Sequence, residues 1–165
     1  MNEALIGELQ QEAATTRRVL ERVPADKLGW KPHEKSMTLG ELARHTADVP
    51  GQISGLAQLD VFDLANANFA PAPGSTVEEI LGIHDSGVTA AAAFLAGLTP
   101  ESAAAIFTLK KGDAILMAMP RGEMVRALML NHWYHHRGQL SVYLRLLDVP
   151  VPVIYGRSAD ENPFG

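Results

Sequence analysis

Two histidines near the end of the chain have the spacing of metal ligands on a helix. His132 and His136 lie four residues apart in the segment 131–140, which has a helical pattern. Because side chains four residues apart on an α-helix stack on one face, the two imidazoles would meet one turn apart. His135 is the rival to His136, since a spacing of three from His132 also shares a face. We favour His136, because its neighbours in phase form the centre of the apolar stripe.

A third histidine, His45, lies in the apolar stripe of another predicted helix. A polar side chain in a core costs about 1–3 kcal/mol when it lacks a partner. Each of the three histidines taken alone is more often a hydrogen-bonded core residue than a ligand. Three of them in core positions on two helices favour one shared partner, and a divalent cation accepts three neutral imidazoles at once. We therefore predict a metal site formed by His45, His132 and His136.

Two further residues are candidate catalytic residues at such a site. Asp48 follows His45 by one helical turn, where it could orient a ligand imidazole, act as a base or bind the metal itself. The alternative for Asp48, a surface carboxylate on the flank of the helix, stays open. His84 lies in the core phase of a third helix and could contact substrate or add a fourth ligand, although a buried histidine bonded to a neighbouring helix is more common. Gln139 could play a polar role similar to that of Asp48.

Composition excludes several classes of function. The chain has 165 residues, which suits the single domain that we predict over residues 1–165. A net charge of −5 without a basic block argues against nucleic-acid binding. No apolar run reaches the ~20 residues of a membrane helix, and the N-terminus lacks a signal-peptide pattern, so we expect no membrane partner and a cytoplasmic location. Cysteine is absent, so any thiol chemistry requires a thiol on a substrate.

Four amphipathic segments predict the helices that position these histidines. They span approximately residues 2–23, 38–59, 75–95 and 120–147. Helices of this length must bury their apolar stripes against one another, which predicts an all-α fold, a four-helix bundle. Between Ala105 and Met119 two short apolar runs flank Lys110–Asp113, which predicts a short β-hairpin between the third and fourth helices. Pro71 and Pro73 predict a loop before the third helix.

Local patterns mark where these helices begin. Thr38–Glu41 and Ser75–Glu78 both fit a capping box, in which a hydroxyl and a carboxylate bond reciprocally to backbone N–H groups. Pro120 suits the first position of the fourth helix, where its missing N–H costs nothing. Pro50 interrupts the second helix and removes one backbone donor, which predicts a kink.

Several residues beside the predicted ligands have predicted structural roles. Gly138 inside the helix predicts that another helix approaches closely there, because glycine otherwise costs about 1 kcal/mol relative to alanine. We expect Trp133 and Tyr134 to pack at the bundle surface or in a subunit contact. Arg137 is expected to form a structural ion pair, with binding of a substrate carboxylate as the alternative.

Three stretches together resemble the DinB/YfiT family of metalloenzymes. The segment Asn131–Gln139, with His136 directly before Arg137, resembles the His-Arg-Gly-Gln motif on the fourth helix of the family. Leu39–His45 resembles the second-helix segment that carries the first ligand, and Val149–Glu161 is similar to the tail of many members. The resemblance implies a four-helix bundle with up-down-down-up topology that is often dimeric.

The family resemblance also implies a cofactor and a reaction class. It implies a divalent metal with positions open to water or substrate, held by His45, His132 and His136. Nickel and zinc are both seen in the family, and iron or manganese are the alternatives. Because characterised relatives include thiol-dependent transferases and a mycothiol-dependent isomerase, we expect a small-molecule substrate, a low-molecular-weight thiol and a homodimer.

Three functions are consistent with these residues. The first is a metal-dependent transferase or isomerase that uses a low-molecular-weight thiol. The second is a metal-dependent hydrolase in which water is the nucleophile and Asp48 or His84 is the base. The third is a non-catalytic module in which the metal stabilises the bundle or a ligand pocket. Activity without a thiol would favour the second, and a metal coordinated fully by protein would favour the third.

Overall fold

A computed structural model describes residues 2–67 and 75–164, and this part of the chain is mainly helical with a small sheet. The α-helices are α1 (Asn2–Leu20), α2 (Leu39–Leu56), α3 (Val77–Gly97), α4 (Pro100–Ala104), α5 (Arg121–Met124) and α6 (His132–Leu146). The strands are β1 (Val61–Asp63), β2 (Ile106–Lys111) and β3 (Ala114–Pro120). Short 3-10 helices cover Ala25–Lys27 and Leu64–Asn66. Pro71 and Pro73, where we predict a loop, lie outside the described residues.

The predicted fourth helix is one continuous helix with a change of hydrogen bonding in the middle. Residues Val125–Asn131 form a π-helical segment that joins α5 to α6. In a π-helix each N–H bonds to the carbonyl five residues earlier, and such segments are frequent at functional sites. The segment ends directly before His132, so the first predicted ligand of this helix is also the first residue of α6.

The helices bury their apolar faces in two clusters, which confirms the predicted bundle. Helix α3 packs against α1 and α2, and α6 packs against α2. One cluster includes Leu9, Val49 and Trp133, and the other includes Leu39 and Leu140. The helices that carry the three predicted ligands, α2 and α6, are therefore direct neighbours.

The predicted hairpin is confirmed, and a third strand extends it. Strand β2 pairs antiparallel with β3, and β1 pairs parallel with β2. Gly112 has a φ of +58° in the turn of the hairpin, a conformation that glycine adopts without a steric penalty. The sequence does not predict strand β1, because a strand of three residues has too short a pattern to be identified.

The capping signals are correct for α2 and wrong by one residue for α3. Thr38 caps α2, and the Glu41 carboxylate accepts from the Thr38 N–H at 2.7 Å. In α3 the reciprocal pair is Thr76 and Glu79, whereas Ser75 accepts a hydrogen bond from Arg44 instead. The hydroxyl of Ser75 is therefore engaged with α2 rather than with the backbone of α3.

The predicted helix ends also need correction. Pro120 is the last residue of β3 and the N-cap of α5, and the helix begins at Arg121, whose N–H donates to the Ala105 carbonyl at 2.8 Å. The first helix ends at Leu20 and the second at Leu56, each three residues earlier than expected. Helix α2 runs through Pro50 as one helix.

The close approach of two helices occurs at a different glycine from the one predicted. A Cβ built on Gly138 would meet no atom within 4 Å, so that prediction is wrong. A Cβ on Gly51 would instead lie 2.9 Å from the Cα of Gly87. Helices α2 and α3 therefore touch backbone to backbone at Gly51, six residues after the predicted ligand His45.

Helix α3 is, by length and composition, apolar enough to cross a membrane. Core helices of soluble proteins pass the same test, so one such helix is weak evidence for a membrane span. Five residues of α3 are buried within the bundle: Ile80, His84, Gly87, Ala91 and Leu95.

Candidate metal centre

Three imidazoles from two helices meet where α2 packs against α6. The Nε2 atom of His132 lies 3.1 Å from Nε2 of His45 and 3.1 Å from Nε2 of His136. The three rings are nearly perpendicular to one another. Within residues 2–67 and 75–164 these histidines are the group of three side chains placed to hold a metal ion, with ligand atoms within 4.8 Å of one another.

The spacing of the nitrogens fits a common cation. Two nitrogens that each lie ~2.1 Å from one ion are ~3.0 Å apart at a right angle and ~3.4 Å apart at the tetrahedral angle. The observed 3.1 Å separations fall between these values. The three residues therefore fit a divalent metal without a large movement of either helix.

Hydrogen bonds among the imidazoles alone leave this cluster poorly satisfied. A neutral imidazole has one N–H donor and one acceptor nitrogen. His132 Nε2 faces two other ring nitrogens, and a single hydrogen on it cannot make two strong, well-directed bonds. A cation would instead accept a lone pair from each of the three rings.

The side chain of Gln139 selects the form of His136 that can bind a metal. Gln139 Oε1 lies 2.8 Å from His136 Nδ1. Because an amide oxygen only accepts, the proton is on Nδ1 and the Nε2 lone pair points at the cluster. A hydrogen bond of this kind to a ligand imidazole fixes its tautomer and its orientation. Gln139 therefore has the polar supporting role considered for it from the sequence.

Burial keeps the three histidines neutral. It lowers the pKa of His136 from 6.5 to about 4, and it also lowers the pKa of His45 and of His132. The negative charge of Asp48 partly opposes the effect of burial on the pKa of His45. Neutral imidazoles present lone pairs at neutral pH, which is the form that binds metals. His45 and His132 remain partly exposed, so the cluster borders solvent.

The two other histidines considered near the site lie outside the cluster. His135 is exposed and does not belong to the group of three, so the structure brings His136 rather than its rival to His45 and His132. His84 is 2% exposed, and its Nδ1 lies 3.0 Å from the Asp85 carboxylate. Its ring packs 6.0 Å from the ring of Trp133. His84 is therefore not positioned as a fourth ligand, and its suggested contact with substrate stays a prediction.

The residues that follow the two ligands on α6 are buried, which the sequence pattern missed. Trp133 is fully buried, so its expected place at the bundle surface is wrong. Arg137 is 1% exposed and forms an ion pair of 2.6 Å with Glu12 of α1, as expected for a structural role. Helix α6 is therefore buried on two faces, and a single apolar stripe describes only one of them. The π-helical segment before it also shifts the phase of the buried positions.

Comparison with known proteins assigns the family. A model of the DinB family matches residues 1–162. The chain belongs to the DinB family. A relative named uncharacterized protein YrdA, from Bacillus subtilis (strain 168), is 31% identical over 151 residues, which cover 91% of this chain and 85% of YrdA.

Solved DinB-like structures share the fold. A DinB-like protein from Bacillus cereus superposes with a TM-score of 0.73 at 22% identity, covering 93% of this chain and 97% of that protein. The DinB-like protein YjoA from Bacillus subtilis gives a TM-score of 0.71 at 18% identity, covering 92% and 96%. At these identities the likeness is one of fold, and it makes this chain a mainly helical DinB-like bundle with a small three-stranded sheet.

Proposed function

We propose that this DinB family protein is a metalloenzyme that uses a low-molecular-weight thiol in a transferase or isomerase reaction. His45, His132 and His136 would hold the divalent metal, with nickel or zinc expected first and iron or manganese as alternatives. The observation that carries the proposal is the convergence of three ring nitrogens on one point, with no carboxylate among the ligands.

The charge of the ligand set supports an activating rather than a purely structural ion. Three neutral imidazoles contribute no negative charge, so a divalent cation would keep its full charge at this site. When bound, such an ion acts as a Lewis acid that lowers the pKa of a coordinated thiol or water. Because the chain has no cysteine, a reacting thiol would come from a cosubstrate.

The chain's own residues would hold and orient this centre. Gln139 would fix the His136 ring through the 2.8 Å bond to Nδ1. Asp48 would act on His45 through its charge, one helical turn away on α2. The partial exposure of His45 and His132 would leave room for a small molecule on the solvent side.

A metal-dependent hydrolase is the second candidate, and the position of Asp48 supports it. A carboxylate one turn from a ligand could accept a proton from water, the role of a general base. Asp48 is partly exposed, whereas His84 is buried and bonded to Asp85, so Asp48 is the better placed of the two candidate bases. The homodimer and the cytoplasmic location stay predictions from the sequence.

Turnover with and without thiols distinguishes these functions. Purified protein would be loaded with nickel or zinc and incubated with an electrophilic substrate, with and without glutathione, mycothiol or bacillithiol, and consumption of the electrophilic substrate is the readout. We expect turnover by wild type and none by His45→Ala, while His135→Ala stays active. Turnover without any thiol that disappears in Asp48→Asn would replace the first proposal by the hydrolase. Tight metal binding without either activity would favour the non-catalytic module.

A further inference from the structure

The proline inside α2 leaves a carbonyl without its usual helical donor. In an α-helix the N–H of each residue bonds to the carbonyl four residues earlier. Proline has no N–H, so Pro50 cannot donate to the carbonyl of Thr46. Thr46 is fully buried, and a buried carbonyl requires a partner from elsewhere in the protein.

The replacement donor comes from the helix that carries the other two predicted ligands. The indole Nε1–H of Trp133 donates to the Thr46 carbonyl at 2.8 Å, and Trp133 is also fully buried. An indole has one donor and no acceptor, so this bond uses its whole hydrogen-bonding capacity. The single acceptor that Pro50 leaves unpaired, the Thr46 carbonyl, is thus paired with the single donor of Trp133.

This bond joins the two ligand helices at the ligands. Thr46 follows His45 in the chain, and Trp133 follows His132, so the bond ties together the residues directly after two ligands. The Nε2 atoms of those ligands lie 3.1 Å apart. Any shift of α6 along α2 would therefore change this hydrogen bond and the separation of the ligand nitrogens together.

A backbone contact with α3 holds α2 in the same part of the bundle. Gly51, the residue after Pro50, lies against Gly87 of α3, where an added Cβ would be 2.9 Å from the Gly87 Cα. The Trp133 ring also packs near His84 of α3. With α2 fixed against α3, the indole bond is in a position to set where α6 lies.

We propose that Pro50 is a positioning residue for the metal centre. By withholding a backbone N–H, it reserves the Thr46 carbonyl for Trp133 and so sets the spacing between His45 and His132. The inference rests on the proposed metal site, and it assigns to Pro50 a role that a helix kink alone does not explain.

A double-mutant cycle tests the proposal. Pro50→Ala supplies a backbone N–H that competes for the Thr46 carbonyl, and Trp133→Phe removes the indole donor. We expect each single change to lower nickel or zinc affinity about 10-fold, a typical effect of losing support for a ligand. Because both changes break the same bond, the double variant should also lose about 10-fold rather than about 100-fold. Affinities are measured by isothermal titration calorimetry.

The NMR signal of the Trp133 indole N–H provides a readout that does not depend on metal. The chain has two tryptophans, so Trp30→Phe assigns the two indole N–H signals and serves as the matched control. Trp30 packs edge-on against Tyr143, outside the three-histidine group, and its replacement should leave metal affinity unchanged. Pro50→Ala should shift the Trp133 indole signal and increase the hydrogen exchange of this N–H. This variant tests the role of Pro50 even where Trp133→Phe does not fold.

The outcomes separate this inference from the proposed function. If wild type binds neither nickel nor zinc, the metal centre itself is wrong and the role of Pro50 falls with it. If wild type binds metal but Pro50→Ala leaves both the affinity and the indole signal unchanged, Pro50 has no positioning role and the metal centre stands. Affinity losses that multiply in the double variant would likewise overturn the role of Pro50. A shared loss together with the indole shift would establish it.

Discussion

His136 and Arg137 are adjacent on α6, yet their side chains meet opposite surroundings. Arg137 is paired with Glu12, donates to Thr16 at 3.1 Å and lies over the ring of Tyr155 at 5.0 Å. His136 points its Nε2 at another imidazole nitrogen, with no opposite charge beside it. The polar groups on the Arg137 side of α6 thus have partners within the protein. On the His136 side, the imidazole lone pairs are directed at a common point.

This difference distinguishes polar residues that stabilise the bundle from polar residues that could bind a ligand. Both regions place polar atoms inside the bundle, so burial alone does not identify the site. The Arg137 network connects α1, α6 and the C-terminal tail, because the Tyr155 hydroxyl also donates to Glu12 at 3.0 Å. Its partners are complete, which is the mark of a structural element. The histidine cluster needs a ligand from outside to become complete.

The largest expected effect comes from removing the ion pair between Arg137 and Glu12. Arg137→Met should lower the free energy of unfolding by about 3–5 kcal/mol, because it leaves the Glu12 carboxylate buried without its partner. Urea denaturation of the metal-free protein measures the loss. Arg145→Met is the control, since Arg145 pairs with Asp160 at the surface, where solvent screens the pair and its loss should cost far less. A loss in Arg137→Met no larger than that of the control would contradict the structural role.

Removing one histidine of the cluster should affect metal binding far more than folding. His45→Ala removes one of the three ligands, and we expect nickel or zinc affinity to fall by about 100-fold or more, which equals about 2.7 kcal/mol. The metal-free protein should unfold at nearly the same urea concentration as wild type, because His45 is only partly buried. Calorimetric titration checks the affinity, with His135→Ala as the matched control on α6. Equal losses in the two variants would sink the assignment of the ligands.

The histidine cluster should also respond to acid. Burial lowers the pKa of His136 to about 4 and lowers the pKa of His45 and His132 below 6.5. Between about pH 4 and 6.5 the unfolded chain therefore binds more protons than the folded one. The contribution of these rings to stability is complete above about pH 6.5 and is lost as the pH falls toward 4.

Urea titrations of the metal-free protein at several pH values between about 4 and 8 measure this effect. The change of stability with pH should be smaller in His136→Gln than in wild type, because one depressed pKa has been removed. His33→Gln, at an exposed loop position, is the control and should follow wild type. An unchanged pH dependence in His136→Gln would show that burial of this ring does not set its pKa.

The smallest expected effect is at Asp48. Asp48→Asn removes a negative charge that acts on the site of His45 and would attract a cation there, so metal affinity should fall by about two- to fivefold, less than the loss of a direct partner of a ligand. Competition with a chelating indicator is sensitive enough to detect this change. Asp26→Asn, an exposed position paired with Lys27, is the control. A loss as large as that of His45→Ala would make Asp48 a direct ligand.

The sequence was sufficient for the three histidines, because each lies in the core phase of its helix. A spacing of four identified His132 and His136, and the stripe of α2 identified His45. The capping box at Thr38 was also readable, since its partners are three residues apart. Local patterns of this kind predict local structure well.

Contacts between distant segments could not be predicted in the same way. The pairing of β1 with β2 joins residues more than forty positions apart, and Tyr155 reaches Arg137 from the irregular tail. A single apolar stripe of uniform α-helical phase places Trp133 at the bundle surface, which is wrong because α6 is buried on two faces and follows a π-helical segment. Pro50 was recognised as a missing donor, but the sequence did not reveal which residue would replace it.

The π-helical segment makes one stretch of the fourth helix tolerant of a change in length. A π turn holds more residues than an α turn, so Val125–Asn131 carries surplus chain directly before the ligands. Deleting one residue there would allow the segment to return to α-helix while His132 and His136 keep their spacing of four. Deleting one between the two histidines would reduce that spacing to three. Insertions and deletions among DinB relatives should therefore be compatible with the ligand pair before His132 and incompatible with it immediately after.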